Sequence, residues 1–245
     1  EGCVTHAPHD FPGEPVAPIL PSGNGASRLL HLIIKSWKIL VEHPVNQRRK
    51  QRCQRAANSV WPWGQGKPPK LKTLRDRFGI EGTVVAAVDL VRGIGKYAGL
   101  RVVDVPGATG YLDTNYQGKV DAALASLKDG DFVFLHVEAP DEAGHSGQRD
   151  LKMKAIEDFD EKVVGPVLKG LEAFDSWRLI IVPDHQTPVA TRIHTKGPVP
   201  FILLDSKEWS PAKEASVVYS EEAAQATGKT VPEASKLIEV LLGRE

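Results

Sequence analysis

Between residues 83 and 204 the chain alternates short apolar runs with helical patterns, and this alternation constrains the fold more than any other feature. The runs are TVVAAVDL (83–90), LRVVDV (100–105), DFVFLHVE (131–138), RLIIVP (178–183) and VPFILL (199–204), all rich in β-branched residues. Around and between them lie the helical patterns LKTLRDRFG (71–79), NYQGKVDAALASLK (115–128) and RDLKMKAIEDFDEKVVGPVLKGLEAF (149–174). In the last, Leu151, Ile156, Phe159, Val163, Val167 and Leu171 form one stripe. Strands alternating with helices predict an α/β domain whose sheet is mostly parallel and covered on both faces. VPEASKLIEVLLGR (231–244) predicts a terminal helix with Pro232 in its first turn. RGIGKYAG (92–99) lacks the spacing of a nucleotide-binding glycine loop and is expected to be a tight turn.

Upstream of residue 70 the pattern differs. Residues 1–25 are rich in Pro and Gly without a period. Residues 26–43, with Leu29, Leu30, Ile33, Trp37, Leu40 and Val41 at three- and four-residue steps, predict a helix ended by Pro44. The basic stretch NQRRKQRCQR (46–55) follows, and then ANSVWPWGQGKPPK (57–70), whose Pro and Gly mark a junction in which Trp61 and Trp63 are hinge packing. The expected division is 1–68 as part of a smaller inserted unit and 69–245 as the main domain. A chain of 245 residues is long enough for this without a disulfide staple.

The charges balance, 31 basic against 31 acidic, which argues against a nucleic-acid or membrane partner recruited by net charge. Cys3 and Cys53 form no CxxC pair, so a thiolate zinc site is excluded and a reducing, cytoplasmic setting is expected.

Two strands run directly into metal-ligand residue types. DFVFLHVE leads to Asp141 and His145; RLIIVP leads to Asp184 and His185, with His194 nine residues after His185. Loops at the carboxyl ends of parallel strands form the functional edge of such sheets, so two carboxylates and three imidazoles are expected together there. A lone Asp or His after a strand is usually a cap or turn residue. Repetition on successive predicted strand ends favours the metal reading. Mixed oxygen and nitrogen donors suit zinc, manganese or a pair of such ions, and two-metal sites serve phosphoryl transfer.

The stretches HVEAPDEAGHSG and PDHQTP…RIHTKGPVPF resemble the cofactor-independent phosphoglycerate mutases of the archaeal type, members of the alkaline phosphatase superfamily. The likeness extends through GATGYLDTNYQGK (107–119), VDLVRGIGKYAGL (88–100), ANSVWPWGQG (57–66) and HPVNQRR (43–49). The resemblance implies an alkaline-phosphatase-like layered sheet, with residues 1–68 part of an inserted α/β domain that binds substrate. It implies interconversion of 3-phosphoglycerate and 2-phosphoglycerate through a phosphoserine, using two divalent ions (Mn, Mg or Zn) and no 2,3-bisphosphoglycerate. Asp141, His145 and His194 then correspond to ligands of one ion, and Asp184 and His185 to ligands of the other. Arg49, Asn46 and Asn58 correspond to substrate-binding positions, and Lys154 is placed facing the site; Arg48, Arg52 and Arg55 are expected on a solvated surface.

The family's amino-terminal Asp-Gly metal ligand and its nucleophilic Ser have no counterpart here. The nucleophile is therefore expected upstream of this chain, supplied in cis or by a second chain. Ser146 adjoins the site, but its neighbours match the metal motif instead. The family also has Gly-Lys where this chain has Cys53-Gln54. Two other functions stay open: another phosphotransferase or phosphatase of the superfamily, or a catalytically silent metal-binding fragment.

Overall fold

The computed structural model describes residues 2–11, 13–209 and 218–244. It divides into two compact units, Glu1–Pro69 and Lys70–Glu245.

In the first unit, β1 (Cys3–Val4) pairs antiparallel with β2 (Ser22–Gly23), ahead of α1 (Ala26–Glu42) and α2 (Pro44–Gln51). The α1 face that is buried runs through Ala26, Ile33 and Ser36. Trp37 and Val41, which share the helical period, are nonetheless exposed. A unit this small has too few layers to cover an apolar helix on every side. α1 ends at Glu42, ahead of Pro44 as expected, and Pro44 then begins α2, a position where its missing N–H costs nothing. Residues 57–66 fold back onto the unit's own start. Trp61 Nε1 donates to the His6 carbonyl at 2.9 Å and Gln65 Nε2 to the Cys3 carbonyl at 2.7 Å.

The second unit opens with α3 (Leu74–Phe78), closed amino-terminally by a reciprocal capping box between Thr73 and Asp76. It continues β3 (Gly82–Val85), α4 (Asp89–Tyr97), β4 (Arg101–Val103), α5 (Tyr116–Ser126) and β5 (Phe132–Leu135). These strands form a parallel sheet in the order β4-β3-β5, flanked by α4 and α5. Thr83, Val84 and Val85 of the central strand are buried. Residues 92–97 of the expected tight turn belong to α4 instead. A Cβ at Gly95 would meet Val84 Cγ1 at 2.5 Å, so that glycine serves close helix-on-strand approach, not chain reversal.

After β5 come α6 (Ala139–Ser146) and α7 (Arg149–Phe159), which pack together. A π turn over Asp160–Val164 then leads into α8 (Gly165–Leu171). The π turn ends two residues before Pro166, which lacks the N–H an unbroken α-helix needs and would crowd the carbonyl four residues back. From it Val163 joins Tyr116 and Val120 of α5 in one core cluster. Ile156, placed on the apolar stripe by its spacing, is exposed; Ala155 and Asp158 are the buried positions of α7.

The last strands, β6 (Arg178–Ile181) and β7 (Ile202–Asp205), depart from a purely parallel sheet. They pair antiparallel with each other, as a separate two-stranded sheet. Residues 182–201 contain no helix, and a parallel return requires a crossover connection. The end of the unit holds α9 (Glu221–Ala226) and α10 (Leu237–Leu242). Pro232 precedes this last helical segment, which begins with a 3-10 turn at Ala234. No helix among the described residues is long and apolar enough to cross a membrane.

Candidate metal centre

Two segments build the site. The first is α6, separated from the end of β5 by three residues, with Pro140 in its first turn. Asp141 and His145 lie four residues apart, on one face of that helix. The second is the irregular stretch after β6 that carries Asp184, His185 and His194. Its ends are joined by an isolated antiparallel bridge between Gln186 and Thr195, which folds His194 back beside His185. Their rings lie with centroids 3.9 Å apart, tilted 38° to each other.

Asp141, His145 and His194 form a close triangle. His145 Nε2 lies 3.0 Å from His194 Nε2 and 3.1 Å from Asp141 Oδ2. His194 Nε2 lies 3.4 Å from Asp141 Oδ1. A tetrahedral ion with bonds of about 2.1 Å separates its ligand atoms by roughly 3.4 Å, close to these contacts, which engage both Asp141 oxygens. His145 Nδ1 sits 2.8 Å from the carbonyl oxygen of Arg192, the partner that leaves Nε2 as the free lone pair. Arg192 itself adopts φ 60°, the left-handed region that costs a side-chain-bearing residue energy. His185 is close by: donor atoms of Asp141, His185 and His194 all lie within 4.8 Å of one another. Asp184 is the outlying member, its side chain 71% exposed, with Oδ2 3.4 Å from His185 Nε2.

Other residues around this centre carry no motif of their own. Thr187 is buried; its hydroxyl donates to Asp141 Oδ1 and lies 3.3 Å from His185 Nδ1. Lys152 Nζ donates to the Thr187 carbonyl at 2.8 Å, and burial lowers its pKa against the opposing pull of Asp141. Lys119, fully buried on α5, directs Nζ toward the carbonyls of Thr109 (3.4 Å) and His136 (3.3 Å). Burial lowers its pKa too, partly opposed by Glu138. Glu138, at the start of α6, has its pKa raised first by burial and then by Asp141, Glu142 and Asp184. His136 Nδ1 is buried without a hydrogen-bond partner, 3.6 Å from Glu138 Oε2, and burial lowers its pKa. Crowded carboxylates, the orphaned His136 Nδ1 and three imidazoles drawn together around Asp141 make a place that a cation would relieve. Thr187 could have been suspected from lying two residues after His185. Lys119 and Lys152 sit in ordinary helical patterns and offered no signal.

The remaining positions expected from sequence lie elsewhere. Lys154 pairs with Asp158 at 2.7 Å; Lys152 is the α7 lysine that reaches the centre. Ser146 Oγ donates to the Ala143 carbonyl at 2.7 Å, at the end of α6. In the first unit, Asn46 is buried and braces the chain. Its amide nitrogen donates to the Leu40 and Ala57 carbonyls at 2.7 and 2.8 Å, and its oxygen accepts from Ala57 N at 3.0 Å. Arg49 Nε donates to the Arg55 carbonyl at 2.6 Å, and Asn58 is exposed. Cys53 adopts φ 53° just past α2, with Gln54 N donating to the Arg49 carbonyl at 2.8 Å. That left-handed helix stop favours the glycine found in the resembled family.

A family model described as the metalloenzyme superfamily matches residues 21–229. The chain belongs to the metalloenzyme superfamily. Among superfamily relatives, a Geobacter sulfurreducens protein named as a probable 2,3-bisphosphoglycerate-independent phosphoglycerate mutase is 48% identical over 99% of this chain and 60% of its own length. The Methanosarcina acetivorans protein named as the same mutase is 47% identical over 96% of this chain and 59% of its own length. This chain thus spans about 60% of the length of these curated relatives. Among solved structures, the PH0037 protein from Pyrococcus horikoshii aligns with a TM-score of 0.61 at 33% identity, covering 73% of this chain and 46% of that one. The Thermoplasma acidophilum cofactor-independent phosphoglycerate mutase aligns with a TM-score of 0.50 at 20% identity, over 94% of this chain and 56% of that one, which speaks to the superfamily fold alone.

Proposed function

We propose that this chain is the metal-binding part of a 2,3-bisphosphoglycerate-independent phosphoglycerate mutase of the cytoplasm. It would interconvert 3-phosphoglycerate and 2-phosphoglycerate through a phosphoserine. The observation that carries this reading is the cluster around Asp141: His145 and His194 lie 3.0 to 3.4 Å from each other and from its two oxygens, and His185 offers a donor within 4.8 Å of Asp141 and His194. Superfamily membership and the names of the relatives support the reaction class. The free thiols of Cys3 and Cys53 support a reducing compartment.

Asp141, His145 and His194 would hold the first ion. Asp184 and His185 would contribute to a second, whose further ligands, with the nucleophilic serine, are assigned to the part of the relatives' length that this chain does not span. Such ions, when bound, supply Lewis acidity that activates a hydroxyl and offsets charge on phosphoryl oxygens. The chain's own groups do the rest. The Arg192 carbonyl fixes the tautomer of His145. Lys119 and Lys152 brace the backbone around the carboxylates, through the Thr109 and His136 carbonyls and the Thr187 carbonyl respectively. Arg49 and Asn58 remain the candidates for binding the glycerate. Asn46 would act by holding their segment in shape, and Lys154 by anchoring α7 at Asp158.

The test is a coupled mutase assay with Mn²⁺. The 245-residue chain would be assayed alone and after co-expression with a polypeptide matching the remaining part of the Geobacter relative. The expected result is no turnover alone, turnover when complemented, and its loss in His185→Ala. Turnover by the chain alone would place the nucleophile within these residues and overturn the assignment.

A further inference from the structure

The two ligand-bearing segments follow strands of different sheets, yet His145 and His194 meet at 3.0 Å. Something must register one against the other. We propose that Thr187 is the positioning residue that does so, with Lys152 and Gly144 holding it in place. The inference rests on the metal-centre reading and deepens it.

The argument begins with the valence of one hydroxyl. Thr187 Oγ1 has one proton to donate and lone pairs to accept. Its proton goes to Asp141 Oδ1, on α6. Its lone pair faces His185 Nδ1 at 3.3 Å, in the segment after β6. A His185 protonated at Nδ1 directs its Nε2 lone pair outward as a ligand. One buried hydroxyl therefore orients a carboxylate from one segment and an imidazole tautomer from the other. Outer partners of this kind fix ligand geometry in metal sites and typically affect affinity by about 10–100-fold.

Two further contacts fix the hydroxyl's own position. Lys152 Nζ, from α7, donates to the Thr187 carbonyl at 2.8 Å. Gly144, within α6 between the two ligands, has no side chain where the Thr187 backbone passes. A Cβ there would lie 2.5 Å from the Thr187 carbonyl oxygen and 2.9 Å from its Cγ2. A threonine suits the place because its methyl packs on α6 while its hydroxyl bonds. Valine keeps the shape and removes the bond, leaving Asp141 Oδ1 without that donor. Serine keeps the bond and removes only the methyl.

The experiment is Mn²⁺ titration by calorimetry on the 245-residue chain and on Thr187→Val, Thr187→Ser and Lys152→Met, with metal-free thermal midpoints measured in parallel. His194→Ala serves as the control for the centre itself. The expected result is a 10–100-fold weaker Mn²⁺ dissociation constant for Thr187→Val, and a value within about threefold of the parent for Thr187→Ser. Lys152→Met should fall between them. The metal-free midpoint of Thr187→Val should stay close to the parent's. Parent-like affinity in Thr187→Val, or an equal loss in Thr187→Ser, would overturn the positioning role. If Thr187→Val does not fold, parent-like affinity in Lys152→Met overturns it instead. A parent chain that binds no Mn²⁺, or binds it equally well with His194→Ala, would remove the metal reading itself, an outcome distinct from failure of the inference.

Discussion

The two segments that supply the metal-type residues have equally legible motifs and unequal structures. On α6, Asp141 and His145 stand on a regular helix backed by α7, and their side chains are 22% and 29% exposed. In the stretch after β6, Asp184 and His194 hang from an irregular backbone closed by one bridge, with side chains 71% and 50% exposed. The difference teaches that a helix fixes donor geometry through its own hydrogen bonds, whereas a loop must borrow that rigidity from neighbours. Here the loop's Thr187 hydroxyl and Arg192 carbonyl bond to Asp141 and His145 of α6, and Lys152 of α7 holds the Thr187 carbonyl.

The largest expected effect separates the two carboxylates. Asp141→Ala should weaken Mn²⁺ binding by more than about 100-fold, since losing a ligand exceeds losing a supporting partner. Asp184→Ala should change the tight site by only a few-fold, because Asp184 stands apart from the triangle. Equal losses in calorimetry would break the contrast between the segments.

A second test strains the place where they dock. Gly144→Ala puts a Cβ 2.5 Å from a backbone oxygen, so one segment must shift. A stability loss of about 1–3 kcal/mol in denaturant unfolding, together with weaker Mn²⁺ binding, is the expected result. An unchanged midpoint would mean the two segments are not pressed together.

A third test probes the support behind α6. Asp158 of α7 is buried and receives Lys154 at 2.7 Å and Lys162 at 2.9 Å. These hydrogen bonds, Lys154's first, hold its pKa below the ordinary 3.8. The folded state therefore favours the ionised carboxylate. Its contribution is fully present above pH 3.8 and is lost as pH falls below that value toward the depressed folded one. Asp158→Asn should lower the thermal midpoint at neutral pH and flatten its fall between about pH 4 and pH 2. A variant with the parent's full acid sensitivity would show that other carboxylates dominate it.

The smallest effect lies in the first unit. Cys53→Gly relieves a left-handed residue at the end of α2 and should raise stability by at most about 1 kcal/mol. Destabilisation in the same unfolding assay would mean the Cys53 side chain contributes packing that outweighs the strain.

The sequence by itself determined the elements and the ligand types. Period and β-branching located α1, α5, α7 and the five strands of the second unit, because those signals are local. Asp141, His145, Asp184 and His185 were legible as candidates because they follow apolar strand patterns, and His194 because it lies nine residues after His185. The expectation that both strands end on one parallel edge did not hold for β6, which pairs antiparallel with β7. Partnerships across the chain were not legible. No spacing announces that β6 and β7 pair apart from β4-β3-β5, since that depends on a connection without a crossover helix. Gly95 imitates a turn residue until Val84 is seen packed against it. Lys154 and Lys152 differ by two positions in sequence and by roughly 200° around a helix. Only the packed structure turns Lys152 toward Thr187 and leaves Lys154 with Asp158. Local sequence sets which groups are available and in what backbone conformation. Which of them meet is a property of side chains brought together from residues 119, 141, 152, 187 and 194, and only tertiary packing decides it.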